Sequence, residues 1–193
     1  FNNNTAIDRF KGRMIFPIHS FSGRILGFGG RTLKTDKKAK YINSPESLIY
    51  IKSKILYGIY FAKQYISKQN NCYVVEGYTD VISLHQAGIK NVVSSSGTAL
   101  TTEQIKLVNR FTENITILFD GDLAGLKASF RSIDMILSEG MNVKVILFPD
   151  GEDPDSYAQK CTQQELANFL KTNSKDFITY KTIVLSKNAL DDP

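Results

Sequence analysis

Residues 71–160 alternate short apolar runs with segments of helical periodicity, and this alternation constrains the fold more than any other feature of the sequence. The apolar runs occupy residues 72–75, 91–93, 115–119 and 143–148. Helical patterns follow them at residues 79–87, 101–111 and 123–139, and then from residue 156 to the end. Runs that are apolar almost throughout are typical of strands covered on both faces. The sequence therefore predicts an α/β fold, in which a parallel-type sheet is flanked by helices.

The first 70 residues follow a different pattern. Two strand-like runs, at residues 13–18 and 24–28, are separated by turn residues and predict a hairpin. A polar loop at residues 34–40 contains four lysines and ends in residues 41–45. A helix is predicted for residues 57–68. We therefore expect a mixed α+β subdomain before the main sheet.

Charge is divided unevenly along the chain, although the net value is only +5. Residues 1–70 contain 13 Lys or Arg and 3 Asp or Glu, so they carry a net charge of +10. Residues 71–193 contain 11 Lys or Arg and 16 Asp or Glu, which gives −5. A basic segment joined to an acidic one indicates a polyanionic partner, and a solvated basic face is the alternative interpretation.

Composition excludes several classes of protein. Cys72 and Cys161 are the only cysteines, so the chain has no disulfide framework and no Cys/His metal cluster. No apolar run approaches the ~20 residues of a membrane helix, and neither a dinucleotide fingerprint nor a phosphate-loop motif is present. Because the chain begins at Phe1 without a signal-peptide pattern, we expect it to be a piece of a longer cytosolic protein.

Acidic residues follow three of the four predicted strands. Glu76 follows the first strand, Asp120 and Asp122 follow the third, and Asp153 and Asp155 follow the fourth. Because ligands of an open parallel sheet bind outside the carboxyl ends of its strands, we expect these side chains to converge on one edge. Taken singly, an Asp-Gly-Asp string is an ordinary turn and an Asp-Pro-Asp string an ordinary helix cap.

Carboxylates packed together repel one another unless a cation lies among them. Hard divalent cations prefer oxygen ligands, and Mg²⁺ held by a few carboxylates usually acts on phosphates. The sequence therefore predicts a Mg²⁺ site without His or Cys ligands, with Mn²⁺ as an alternative ion. Gly97 and Thr98, after the second strand, are candidates for a loop whose backbone N–H groups bind phosphate.

Glu-Gly at one strand end and Asp-x-Asp at another resemble the signature of the Toprim domain, which primases, topoisomerases and some nucleases share. Three longer strings, at residues 75–81, 120–125 and 149–155, resemble the bacterial DnaG-type primase family more specifically, as does Ser96-Gly97-Thr98. The basic half contains further strings of that family in the same order, at residues 8–18, 27–31, 40–46 and 56–58. The resemblance spans residues 8–180.

The resemblance implies the RNA polymerase core of a primase, divided into three parts. Residues 1–70 would be the basic N-terminal part of the core, incomplete at its start. Residues 71–160 would be the Toprim catalytic domain, and residues 161–193 the start of a C-terminal helical subdomain. A zinc-binding domain and a helicase-binding domain would lie outside this chain, so zinc is expected only there.

The resemblance also implies roles for the residues. Glu76, Asp120 and Asp122 would be catalytic, and Asp153 and Asp155 would complete the Mg²⁺ ligands. Whether Glu76 acts as a ligand or as the base stays open at this point. Contacts to template and nucleotide would come from Arg13, Arg31, Lys40, Tyr41, Asn43, Lys52 and Lys54. The basic side chains would bind phosphates, Tyr41 would stack on a base, and Asn43 would orient a nucleotide.

The activity implied is synthesis of short RNA primers from NTPs on single-stranded DNA, by a monomeric core in the bacterial cytoplasm at the replisome. A replicative helicase and a single-stranded DNA-binding protein would contact regions outside this chain, and no membrane partner is expected. Another Toprim enzyme, either a nuclease or a topoisomerase fragment, is the first alternative. A topoisomerase would need a tyrosine nucleophile on a separate domain. The second alternative is a non-enzymatic nucleic-acid clamp.

Overall fold

The computed structural model describes residues 7–34, 39–97, 99–119, 123–149 and 151–182. A three-stranded antiparallel sheet precedes a five-stranded sheet that is flanked by helices, which confirms the predicted α/β fold. None of the helices in these ranges combines the length and the apolar character needed to cross a bilayer.

The small sheet contains the predicted hairpin and one strand that was not predicted. Strands β1 (Arg13–His19) and β2 (Ile25–Thr32) pair antiparallel, as expected. Strand β3 (Tyr41–Asn43) pairs with β2, although the sequence indicated only the end of a loop there. A strand of three residues is too short to establish a period-two pattern, so its pairing with β2 had no signal in the sequence.

The predicted helix at residues 57–68 begins two residues later than expected. Helix α1 (Ile59–Gln69) starts after Gly58, whose φ is +86°. Tyr57 remains extended and forms an antiparallel bridge to Ser94, with N–H···O distances of 2.9 and 3.1 Å. A short 3₁₀ helix (Lys52–Lys54) precedes this bridge. Tyr57 therefore ties the basic half of the chain to the end of a strand of the main sheet.

The main sheet has four parallel strands and one antiparallel strand at its edge. The parallel strands are β4 (Cys72–Val75), β5 (Val92–Ser94), β6 (Asn114–Phe119) and β7 (Asn142–Leu147). They are arranged in the order β5-β4-β6-β7. Helices α2 (Tyr78–Gln86), α3 (Thr102–Asn109) and α4 (Leu123–Ser138) connect them. This alternation agrees with the sequence prediction.

The described chain after residue 156 is mostly helical, as predicted, but it also contains one short strand. Helices α5 (Pro154–Lys160) and α6 (Gln163–Thr172) are followed by β8 (Lys175–Asp176), which pairs antiparallel with β7. Asn173 ends α6, and the chain then turns onto the edge of β7. The prediction was wrong there because a two-residue strand is defined by the partner edge it covers and not by its own pattern.

The two faces of the main sheet are buried by different helices. Val74, Ile117 and Val145 belong to the core shared with α1, α3 and α4. Their neighbours Val75, Leu118 and Ile146 belong to the core shared with α2, α5 and α6. Because alternate strand residues point to opposite faces, strands covered on both sides need apolar side chains at nearly every position.

The strand order creates a switch point between β4 and β6. The chain leaves β4 toward β5 on one side of the sheet, and it leaves β6 toward β7 on the other side. The crevice outside the carboxyl ends of two such strands is the usual ligand site of open α/β sheets. Strand β4 ends at Val75, so Glu76 lies at the carboxyl edge of the sheet, next to this switch point.

A third small core joins the two sheets through Tyr78, the first residue of α2. Tyr78 packs with Phe16, Ile18 and Tyr50. Its ring stacks on Phe16 with the centroids 5.1 Å apart and the planes inclined by 10°. Gly29 faces the same ring, and a Cβ added there would lie 2.6 Å from the Tyr78 Cζ atom. The absence of a side chain at Gly29 is therefore what lets the ring approach β2.

Gly29→Ala should destabilise the protein by roughly 1–3 kcal/mol, because the added methyl group would force the Tyr78 ring or β2 to move. Urea unfolding of the wild type and the variant measures this loss. Tyr78→Leu removes the ring atoms that the methyl group would meet, so Gly29→Ala should cost less in that background. Additive losses in the double variant would contradict the proposed contact.

Candidate functional site

Acidic side chains from two separate connections meet at the carboxyl edge of the main sheet. Glu76 follows β4 and is exposed, whereas Asp80, in the first turn of α2, is buried with 8% of its surface accessible. Asp153 and Asp155 lie at the start of α5, which packs against α2. The sheet edge thus combines carboxylates that are about 75 residues apart in the chain.

The pKa of Asp80 is raised by its burial and by the charges of the other carboxylates. Burial is the largest cause of its increase from 3.8 to about 6, and the charges of Asp153, Asp155 and Glu76 raise it further. The backbone N–H of Gly77 donates to the Asp80 carboxylate at 2.8 Å, which lowers the pKa and partly offsets these effects. These charges agree with the predicted convergence of the first and last acidic strand ends, which stays a prediction.

Asp80 itself was not among the predicted site residues. It belongs to the string at residues 75–81 and follows Glu76 by four positions at the start of a predicted helix. That spacing across a tight strand-to-helix turn returns the side chain toward the strand end. The turn geometry was the signal that could have identified it.

The carboxylates of α5 are fixed by hydrogen bonds within the protein. Asp153 caps the helix, and its side chain accepts from the Ser156 backbone N–H at 2.6 Å. Asp155 accepts from the Ser83 hydroxyl of α2 and from the Gln159 amide, both at 2.5 Å. Hydrogen bonds from the protein itself therefore orient both carboxylates.

The described part of this edge suits a divalent cation but does not complete a site for one. Its donors are carboxylate oxygens, the type that Mg²⁺ prefers. Neither ion pair found in the described ranges involves Asp80, Asp153 or Asp155, so their charges are not neutralised by Lys or Arg. Within those ranges no three acidic, His or Cys side chains are close enough to hold a metal.

Three predicted site residues, Asp120, Asp122 and Thr98, lie outside the described residues. Their neighbours in the chain are nevertheless informative. Strand β6 ends at Phe119, and it lies between β4 and β7 in the sheet. In sequence, Asp120 directly follows β6. The described carboxylates come after β4 and β7, the neighbours of β6 in the sheet.

A cavity of about 350 Å³ lies beside Glu76 at the ends of β4, β5 and β6. Gly97 lines it together with Ser95 and Phe119. Ser96 and Gly97 both have positive φ, +59° and +84°, so the chain turns sharply after β5. The phosphate-loop candidate Gly97 is thus adjacent to the acidic edge.

Two of the predicted basic-half contacts reach the start of α2. The Tyr41 hydroxyl lies 3.4 Å from the Thr79 hydroxyl, and the Tyr41 ring is 5.9 Å from that of Tyr78. The Arg31 guanidinium lies over the Tyr41 ring at 5.7 Å from its centroid. A cation and an aromatic ring therefore lie next to the turn that carries Glu76.

Both the oxygen and the nitrogen of the Asn43 side-chain amide form hydrogen bonds within the protein. Burial raises the pKa of Tyr78, whose hydroxyl stays protonated and donates to the Asn43 Oδ1 atom at 2.7 Å. The Asn43 amide donates to the Ser96 carbonyl at 3.4 Å. Lys52 lines a small crevice with Asn43, Ser95 and Ser96. Asn43 therefore joins β3 to α2 and to the turn after β5.

The remaining predicted contacts lie on the basic half. The Arg13 Nη1 atom donates to the carbonyl groups of Gly30, Ala39 and Lys40, at distances of 3.2, 2.9 and 3.3 Å, and so braces the end of the lysine-rich loop. The Lys40 and Lys54 residues are exposed.

Asp80→Asn should stabilise the protein in EDTA at pH 8 by up to about 3 kcal/mol. Because the pKa of Asp80 is raised on folding, its contribution to stability is full below pH 3.8 and is lost as the pH rises through about 6. The asparagine stays neutral and keeps an acceptor for Gly77, so the gain should disappear near pH 4. Urea unfolding at pH 4, 6 and 8 measures it, with the exposed Asp134→Asn as control. An equal gain in that control would contradict the burial argument.

Two family models match the chain. Residues 1–63 match the N-terminal domain of the DNA primase catalytic core, and residues 73–158 match a Toprim-like family. The DNA primase of Halalkalibacterium halodurans is 52% identical over 153 residues, which is 79% of this chain and 25% of that protein. The chain spans 25–30% of the length of the curated relatives it matches first.

Solved structures agree with these matches. The zinc-binding and RNA polymerase domains of the Aquifex aeolicus primase are 38% identical with a TM-score of 0.88, covering 98% of this chain and 47% of that one. A DnaG primase catalytic domain bound to single-stranded DNA is 40% identical with a TM-score of 0.80, covering 88% of this chain and 55% of that one. The chain therefore belongs to the DnaG-type DNA primase family, and it comprises part of the family's catalytic core.

Proposed function

We propose that this chain is the catalytic part of a DNA primase that synthesises short RNA primers from NTPs on a single-stranded DNA template during replication. The observation that carries the proposal is the position of Asp80 in the first turn of α2, directly after the end of β4 at the switch point, with α2 packed against α5, whose start contains Asp153 and Asp155. The similarity to a DnaG catalytic domain bound to single-stranded DNA supports the choice of template.

The proposed reaction is nucleotidyl transfer. The 3′-hydroxyl of the growing RNA attacks the α-phosphorus of an NTP, so that one P–O bond forms and the bond to the departing pyrophosphate breaks. The hydroxyl proton must leave during this step. Glu76 is exposed at the strand end beside the cavity, where it can accept that proton directly or hold a cation that favours its loss.

The proposed ligands of Mg²⁺, or of Mn²⁺ in its place, are Glu76, Asp120, Asp122, Asp153 and Asp155. When bound, the divalent cation would neutralise the charge that develops on the transferring phosphates. The protein's own task is positioning, because a phosphoryl group held in line with its attacker needs little further covalent chemistry. The capping and cross-helix bonds of Asp153 and Asp155 would keep the site in place before substrate binds.

The basic half would hold the template and the incoming nucleotide. Phosphates would be bound by Arg13, Arg31, Lys40, Lys52 and Lys54, and by the backbone at Gly97 and Thr98. Tyr41 would stack on a base. Asn43, fixed by Tyr78 and adjacent to Ser96, would orient the nucleotide between the basic half and the acidic edge.

The proposed organisation of the whole protein extends beyond this chain. Residues 1–70, 71–160 and 161–193 would form the basic part, the Toprim catalytic domain and the start of a helical subdomain. The core would act as a monomer in the bacterial cytoplasm, at the replisome. Zinc, the replicative helicase and a single-stranded DNA-binding protein would be bound by other regions.

Glu76→Gln and Asp120→Asn in the full-length protein should each lower primer extension by roughly a hundredfold or more, because each removes a charge that acts on the transferring phosphate. Extension of a short RNA primer on single-stranded DNA by labelled NTPs, with and without Mg²⁺ or Mn²⁺, measures this loss. Glu103→Gln, which changes an exposed carboxylate in the first turn of α3, is the matched control and should retain activity.

Each other result assigns a different function. DNA cleavage without extension would indicate a Toprim nuclease. Folded protein that binds DNA, with neither activity in the wild type and no effect of Asp120→Asn, would indicate a non-enzymatic clamp.

Template affinity should fall steeply with salt, because most of it comes from Lys and Arg contacts to phosphates. Lys40→Gln should lower the slope of log K against log[salt] by about one, while weakening binding uniformly across sequences. Fluorescence anisotropy with labelled oligonucleotides at several salt concentrations measures both quantities. Lys171→Gln, in α6 beside the amino edge of the main sheet, is the control. If Lys40→Gln leaves the slope of log K against log[salt] unchanged, Lys40 does not contact the template phosphates.

A further inference from the structure

A second cleft, of about 260 Å³, lies where the β1–β2 hairpin and α1 meet α2. Its apolar wall includes Tyr57, Phe61 and Ile82, and its polar groups are His19, His85 and Gln86. The volume is below the roughly 300–1,000 Å³ of common small-molecule pockets. The cleft therefore has room for one flat ring system rather than for a large ligand.

This cleft is separate from the acidic edge. Helix α2 begins at Tyr78 beside Glu76 and runs for nine residues to Gln86, a length of about 13 Å at 1.5 Å per residue. The cleft is lined by α2 from Val81 to Gln86 and by Val92, the first residue of β5. It lies toward the amino ends of the strands, whereas the acidic site lies at their carboxyl ends.

Exposed aromatic rings continue the surface beyond the cleft. Phe61 is 54% exposed, Phe21 at the hairpin turn is 47% exposed, and Tyr60 is 37% exposed. His19 stacks on Tyr60 with the centroids 6.0 Å apart and meets Phe61 edge to face at 5.4 Å. Contiguous exposed rings of this kind mark an interaction surface.

Cations lie over and beside these rings. The Lys63 ammonium is 5.0 Å from the Tyr60 ring centroid, and the Arg110 guanidinium is 5.8 Å from that of Phe21. Burial, and then the nearby charge of Lys90, lower the pKa of His85, so its neutral ring can both donate and accept. A molecule that binds this surface should therefore carry negative charge, to pair with the cations, and flat groups, to stack on the rings.

The chain segments that frame the cleft contain no acidic residue. Asp and Glu are absent from residues 9–35, which include the hairpin, from residues 47–75, which include α1, and from residues 81–102, which include the later turns of α2 and all of β5. A cationic surface with exposed aromatic rings is complementary to a polyanion whose units carry flat rings. A single nucleic-acid strand has both properties.

We propose that this cleft is a second nucleic-acid site, in which one base of a single strand enters between Phe61 and α2. The strand's phosphates lie along Lys63, Arg110 and Lys90. Stacking on Phe61 supplies affinity for any base, because every base has a π face, and His19, His85 and Gln86 offer hydrogen-bonding groups to its edge. The site binds without NTP or metal, so it does not rest on the acidic edge.

The test is binding of labelled oligothymidine to the full-length protein in EDTA, followed by fluorescence anisotropy. Phe61→Ala and Phe61→Leu should each weaken binding by about tenfold, which is the size of one lost base stack. Phe61→Tyr keeps the ring and should bind as the wild type does. Ile178→Ala, which alters a 75% exposed apolar side chain outside the cleft, is the control and should also be unchanged.

Photo-crosslinking with 4-thiothymidine oligonucleotides gives an independent readout. Crosslinks are expected in the peptide that contains α1, and they should be lost in Phe61→Ala while circular dichroism shows that the variant is folded. Wild-type affinity of Phe61→Ala, or crosslinks confined to other segments, would overturn the proposal and leave the surface to a protein partner. Because no NTP or metal is present, neither result depends on polymerase activity.

Discussion

The contact of Tyr78 with the basic half is the interaction on which the relation between the two sheets depends. Its ring stacks on Phe16 of β1, and its hydroxyl donates to Asn43 of β3. Because Tyr78 comes two residues after Glu76, the same contact sets the distance between the basic sheet and the acidic strand end. A shift of β2 toward the ring is prevented by the close approach at Gly29. Packing that looks purely structural therefore positions the two halves of the proposed catalytic centre.

Burial and mutual repulsion of carboxylates at the acidic edge destabilise the folded protein, and nearby hydrogen bonds offset part of this cost. Asp80 is buried, and the charges of Asp153, Asp155 and Glu76 add to burial in raising its pKa. Hydrogen bonds from Gly77, Ser83 and Ser156 to this group of carboxylates, with the positive ends of α2 and α5, compensate part of the repulsion. The residual repulsion is what a divalent cation would relieve. The same side chains thus serve the helix starts in the free protein and the proposed metal site when it is filled.

The sequence predicted what local patterns determine and missed what distant partners determine. The hairpin, the four parallel strands and the capped helices each have their own periodicity or cap. Strands β3 and β8 are defined by their pairing with the edges of β2 and β7. Tyr57 is extended because it pairs with Ser94. Within the site, strand-end position identified Glu76, Asp153 and Asp155. It did not identify Asp80, which reaches the edge by a helical turn, nor the engagement of Asn43 by Tyr78.

Acidic residues are distributed unevenly over the fold. Acidic residues are concentrated at the carboxyl ends of the parallel strands, while the segments around the far end of α2 contain none. A phosphate-transferring enzyme needs both environments, since carboxylates that hold cations would repel the polyanion if no basic surface held it nearby. The basic half meets the acidic edge at the start of α2, and the segments without acidic residues extend from there around the far end of that helix. Helix α2 spans the two, so its first turn belongs to the proposed chemistry and its last turns to the proposed second nucleic-acid site.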